Sequence, residues 1–165
     1  MRAGPLAGGL ALTALAFLAS PDAAAAADCS IATTGVAFGT YDASVAAATD
    51  SAADLTVRCI YLSGSAARLS YTVALSAGNS GMFAARQLRA GSSMLGYNLF
   101  MDVARSQIWG DGSSGTFVAS GALTVGPGVG NGIREFLHTL YGRIPALQAA
   151  DSGIYTDTIV VTLSF

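Results

Sequence analysis

Apolar and polar residues alternate along this chain in short stretches of period two, and turn residues separate the stretches. Between residues 68 and 76, Leu69, Tyr71, Val73 and Leu75 fall on one face, with Ser70, Thr72, Ala74 and Ser76 on the other. The same alternation groups Leu55, Val57, Cys59 and Tyr61 in 53–61, and Leu95, Tyr97, Leu99 and Met101 in 94–101. Successive side chains of a strand point to opposite faces, so each stretch predicts a half-buried strand. Stretches at 31–39, 116–125 (Phe117, Val118, Leu123, Val125) and 135–144 (Phe136, Leu140, Tyr141, Ile144) predict three more. Gly78-Asn79-Ser80-Gly81, Trp109-Gly110-Asp111-Gly112 and the glycine-rich run 126–132 read as turns and loops between them. Seven or eight short strands at this spacing, without a strong amphipathic helix, predict an all-β antiparallel sandwich.

The final stretch, 154–165, carries the strongest pattern. Ile159, Val161, Leu163 and Phe165 point one way, and Thr158, Val160, Thr162 and Ser164 the other. Such a strand either closes a complete sandwich from within or leaves an apolar edge that must be covered. Cover supplied by another chain's strand is β-augmentation.

The N-terminus follows a different pattern. Arg2 precedes an uncharged run from Leu6 to Leu18, followed by Ser20, Pro21 and the alanines 23–27. A charged start, a short apolar run and small-residue cleavage sites make a secretory signal peptide. The run is about 13 residues, short of the roughly 20 that a spanning helix needs. Residues 1–27 are therefore expected to be removed, leaving 28–165 as one exported domain with no membrane span.

Charge and chemistry then narrow the function. The net charge is −2, the eight basic residues are all Arg, and they form no cluster. The electrostatic footprint of a nucleic-acid binder is missing. The two cysteines, Cys29 and Cys59, read as a disulfide in an oxidising compartment. Closing a loop of about 30 residues is worth roughly 3–4 kcal/mol on the chain-entropy account. The competing reading, a metal pair, lacks further ligands at zinc spacing. His138 is the only histidine, with the only Glu, Glu135, nearby, but no Gly-x-Ser-x-Gly elbow exists. His138 is expected on a strand or loop, partly exposed. The segment Asp102–Asp111 lacks the alternating oxygen ligands of a calcium loop. No Lys-Ser/Thr follows Gly126–Gly132, as a phosphate loop would require. Pro145, after Tyr141-Gly142-Arg143-Ile144, is expected to end a strand. These features predict no enzyme, no cofactor and no metal site.

A set of motifs runs in order along the chain. They begin with Cys29, Phe38-Gly39-x-Tyr41 and Cys59. Tyr71-Thr-Val-x-Leu75-Ser-x-Gly78, Leu95-x-Tyr97-x-Leu99-Phe-x-Asp102 and Trp109-Gly110-Asp111-Gly112 follow. Tyr141-Gly142-Arg143-Ile144-Pro145-Ala146, Gly153-x-Tyr155-Thr-Asp157-Thr158 and the last stretch complete the set. In this order the motifs resemble the spore coat protein U domain family, which includes pilins of archaic, Csu-type chaperone–usher pili.

The resemblance implies an immunoglobulin-like sandwich that lacks its last strand. A periplasmic chaperone lends a strand, which another pilus subunit replaces at the outer-membrane usher. It also implies transit through the periplasm to the cell surface. Carried to this chain, Ile159, Val161, Leu163 and Phe165 would line the acceptor groove, with the Phe165 carboxylate as an anchor for basic chaperone residues. A shaft subunit also needs a bulky donor segment before its first cysteine. Here Asp28 and alanines precede Cys29, which implies a tip or capping position. The competing reading is a secreted coat or surface-binding sandwich that does not polymerise.

Overall fold

The structure, a computed structural model, describes residues 26–128 and 132–165. The expected signal segment lies outside the described residues except for Ala26 and Ala27. Those two open the first strand rather than precede it. Eight strands are present among the described residues: β1 (Ala26–Thr33), β2 (Thr49–Ser63), β3 (Ala67–Leu75), β4 (Arg86–Ala90), β5 (Ser93–Phe100), β6 (Ala119–Val125), β7 (Ile133–Ile144) and β8 (Val161–Ser164). They form a five-stranded sheet in the order β1-β2-β7-β5-β4 and a three-stranded sheet in the order β6-β3-β8. The ladders within both sheets are antiparallel. No described helix is long and apolar enough to cross a membrane.

The predicted alternation becomes burial. Leu55, Val57 and Cys59 of β2, Tyr71, Val73 and Leu75 of β3, and Leu95, Tyr97 and Leu99 of β5 join one core. Leu123 and Val125 of β6 with Leu140 and Ile144 of β7 complete it. Each fully buried large side chain contributes about 1.5–3 kcal/mol. β7 ends at Ile144, directly before Pro145.

Four expectations change. The stretch expected at 31–39 becomes a strand at 26–33, in which Cys29 sits opposite Cys59 and Ile31 opposite Val57. Gly35 and Gly39 both take positive φ, which breaks the extended path beyond Thr33. The last stretch is a ladder only over Val161–Ser164, paired with Leu75 back to Thr72 of β3. β3 stops at Leu75, and among the described residues β8 has no neighbour on its other side, so before Val161 the ladder gives way to isolated contacts, Val160 with Ser76 and Thr156 with Arg89 of β4. β4 was not expected, because Arg86-Gln-Leu-Arg-Ala90 has a single large apolar residue. A two-residue turn, with Gly91 at φ +60°, folds it onto β5. Finally, Trp109 is not merely a turn residue. It is 1% exposed, and its indole N–H donates to the Val73 carbonyl at 2.8 Å.

Candidate functional site

Among the described residues the smaller sheet ends at β8, which pairs with β3 alone, and β1 pairs with β2 alone. Beyond Thr33 the chain leaves its sheet and passes over the inner side of β7. There Phe38 and Val36 lie so close to Gly142 that an added Cβ would meet them at 2.7–2.8 Å and would have to displace them. Between this segment and the approach to β8 lies an apolar cleft of about 360 Å³. Thr33, Gly35, Val36 and Phe38 form one wall, and Asp157, Thr158, Ile159 and Val161 the other. Leu55, Leu75, Leu88, Tyr97, Leu99 and Leu140 form its base.

Of the four residues singled out in the last stretch, Ile159 and Val161 line this cleft. Leu163 packs half-buried against the core but does not line it. Phe165 is 58% exposed and lies beside Arg68, Thr72 and Ser120, away from the cleft. Ile159, Val161 and Leu163 face the core yet stay only half-buried, as an inward row does when its sheet lacks a covering neighbour.

The wall is held by a network that the sequence reading missed. Ser76 brackets Val160: its N–H donates to the Val160 carbonyl at 2.9 Å, and its Oγ accepts the Val160 N–H at 2.9 Å. The Ser76 carbonyl in turn accepts both Nε (3.2 Å) and Nη2 (2.8 Å) of Arg86. Arg86 is fully buried. It also donates to the Trp109 carbonyl and to Asn98 Oδ1, each at 2.8 Å, and lies 5.5 Å from the Phe83 ring centroid. Burial pulls its basicity down, and Tyr97 and Asp157 oppose that shift. No carboxylate pairs with it directly, so backbone carbonyls and an amide solvate this cation.

Asp157 fixes the other end of the wall. Its Oδ2 accepts the Tyr97 hydroxyl at 2.7 Å, and its Oδ1 accepts the N–H groups of Asn79 and Thr158 at 2.9 and 2.8 Å. Burial, then the bond to Asp157, pushes the Tyr97 hydroxyl far up. Gly78, at φ +69°, leaves room for this carboxylate, which any Cβ there would hit. The spacing Leu75-Ser-x-Gly78 was visible in the sequence, but its contact with Asp157 was not.

Cys29 and Cys59 form a disulfide between directly opposed residues of β1 and β2, with Cα atoms 4.0 Å apart. It staples the edge strand to the large sheet. Replacing both cysteines with serine should lower stability by about 3 kcal/mol. Urea unfolding of the oxidised wild type and the double variant measures this, and a difference below about 1 kcal/mol would show that β1 holds without it.

His138 is half-buried on β7, with Nε2 3.0 Å from the Tyr71 hydroxyl and its ring packed edge-on to Tyr71 and Trp109. Glu135 pairs instead with Arg58 at 3.3 Å. Among the described residues no group of three or more His, Cys, Asp or Glu is placed to hold a metal ion. Burial holds the His138 imidazole below its ordinary value. The unfolded chain therefore binds its proton first as pH falls. Stability should be at its full value above about pH 6.5, fall below it, and level off once the folded-state value is passed. Denaturation midpoints from pH 8 to 5 in wild type and His138→Gln check this. The variant should lose that part of the slope, and parallel curves would assign the slope to other groups.

Two antiparallel sheets closed over one core, with the first two strands joined by a disulfide, define an immunoglobulin-like β-sandwich. The chain matches the Spore Coat Protein U domain over residues 13–162 and belongs to that family. It is 34% identical over 135 residues to Protein U of Myxococcus xanthus, an alignment covering 78% of this chain and 70% of that protein. Its fold is similar to a chain in the CsuC–CsuE chaperone–tip adhesion subunit pre-assembly complex from archaic chaperone–usher Csu pili of Acinetobacter baumannii. That likeness has a TM-score of 0.52 at 21% identity and covers 85% of this chain. The present chain spans 40% of the length of that solved chain.

Proposed function

We propose that this protein is an exported structural or adhesive subunit of a surface pilus or coat, and that it works by accepting a strand from a partner. The observation that carries this reading is the cleft between residues 33–38 and 157–161. Its base is core leucines, and its wall strand has an unpaired edge. A strand laid there would complete the ladder of β8 and place alternate side chains over the half-buried Ile159 and Val161. Main-chain bonds would supply affinity, and the alternating pockets register. A periplasmic chaperone, an outer-membrane usher and other pilus subunits are the partners this mode requires. The reading needs neither catalysis nor a cofactor. Membership in the family supports the structural role, and the fold shared with a chain of a chaperone–tip adhesion subunit complex supports the acceptor role.

A tip or capping position fits the same picture. From Ser20 to Asp28 the apolar residues are Pro21 and alanines, and Ala26 and Ala27 pair with this chain's own β2. Each missing methylene would cost a donor segment about 0.8 kcal/mol. N-terminal sequencing of the exported protein, then mixing its chaperone complex with itself, tests this position. Self-polymers longer than a dimer would defeat it.

Amide hydrogen exchange tests the acceptor mode. The β8 amides that point away from β3 should exchange fast in the isolated domain and slowly in its chaperone complex. Equal, slow exchange in both would favour the other reading, a complete coat sandwich that does not polymerise.

A further inference from the structure

The apolar cleft does not end at Asp157. Val36, Phe38, Leu88 and Asp157 also line a second cavity of about 790 Å³, so the two spaces adjoin at these residues. The second chamber runs between residues 36–43 and 150–157, and its lining changes character. Thr40, Tyr41, Asp151, Ser152, Tyr155 and Thr156 face it. Its charged residues are two carboxylates, Asp151 and Asp157, with no described basic residue among its walls. Arg89 pairs by backbone with Thr156 but does not line the space.

The two carboxylates differ in what they have left to offer. Asp157 already accepts three hydrogen bonds. Asp151 accepts one on Oδ2, from the Ser93 hydroxyl, and its main-chain carbonyl is held by the Tyr155 hydroxyl at 3.0 Å. Among the described residues, its Oδ1 has no donor and it has no ion-pair partner. The chain thus fixes an exposed carboxylate at the polar end of an otherwise apolar channel and leaves one oxygen unused.

We propose that this channel takes a single extended peptide whose alternating apolar run fills the first chamber and whose adjoining basic residue pairs with Asp151 in the second. The proposal rests on the strand-acceptor reading and specifies the partner's chemistry. The occupant is read from charge complementarity with a chamber whose two charged residues are both acidic, and from the lining that this chamber shares with the apolar cleft. An exposed pair discriminates only modestly, so Asp151 would select among donor strands rather than supply the bulk of affinity.

Synthetic peptides with one alternating Val/Thr core, ending in Lys, Gln or Glu and made in both chain directions, test it by fluorescence anisotropy on the refolded exported domain. In one direction the Lys peptide should bind about two- to fivefold more tightly than the Gln peptide, and the Glu peptide more weakly than both. This order should collapse in 1 M salt and in Asp151→Asn, whose fold is checked by circular dichroism. Equal affinities for the three ends would overturn the inference while leaving the acceptor groove standing. Binding by none of the peptides would overturn the groove reading and the inference with it.

Discussion

Replacing Arg86 with Met should destabilise this domain by more than about 2 kcal/mol, although Arg86 is distant in sequence from the strand it serves. The guanidinium is fully buried and bonds to carbonyls of Ser76 and Trp109. Methionine keeps most of the volume and removes every donor. The half-buried Ser76 carbonyl and the buried Trp109 carbonyl then lose their partner, at about 1–3 kcal/mol each. Asn98 Oδ1 is less affected, because it also accepts the Leu99 N–H. Relief from burying a charge offsets part of the loss, which is why the lower half of the summed range is expected. Lysine should rescue little, since its compact ammonium cannot span acceptors arranged for a planar fork. The loss should also be local: with Ser76 released, the Val160 amide should exchange faster than those of β2. Urea unfolding and amide exchange measure the two effects. A change under 1 kcal/mol, or uniform exchange, would remove Arg86 from the support of the cleft wall.

If the protein works as the proposed strand acceptor, Val161→Asp should abolish capture by a chaperone or by a donor peptide. Val161 lines the apolar cleft opposite Val36 and Phe38, where an incoming strand would have to bury it. A carboxylate sealed there without a partner costs several kcal/mol, comparable with the whole affinity of a weak strand contact. Because Val161 also packs against the core, folding must be followed separately by circular dichroism and unfolding of the isolated variant. Thr162→Asp is the control: Thr162 is exposed on the opposite face of the same strand, opposite Ala74. The control should be captured as wild type is. Normal co-purification of Val161→Asp with its chaperone would show that this strand is not the binding edge.

Much of the fold was legible in the sequence because burial follows a period of two. Leu55, Val57 and Cys59, or Tyr71, Val73 and Leu75, announce a strand and its inner face without any knowledge of what covers them. β4 was invisible for the same reason, since its Arg86 is a charged residue at a fully buried position. Periodicity scores arginine as solvent-facing. Only the convergence of the Ser76 and Trp109 carbonyls with the Asn98 amide makes burial tolerable. Trp109 misled similarly, because its neighbours Gly110, Asp111 and Gly112 signal a turn while its ring points inward.

The sequence by itself determined the class of fold, the inner faces of β2, β3, β5 and β8 and the pairing of two lone cysteines, all of which follow from local alternation and simple counting. The tertiary structure alone decided how long the last strand runs and where the cleft opens. Ile159 to Phe165 repeat one pattern without interruption, yet Ile159 and Val161 line the cleft, Leu163 packs beside it and Phe165 lies on another surface. Alternation specifies which way a side chain points from its own backbone. Whether that direction meets a core, a gap or solvent depends on where β3 stops and on the route the chain takes after Thr33, and both are set by contacts between residues far apart in sequence.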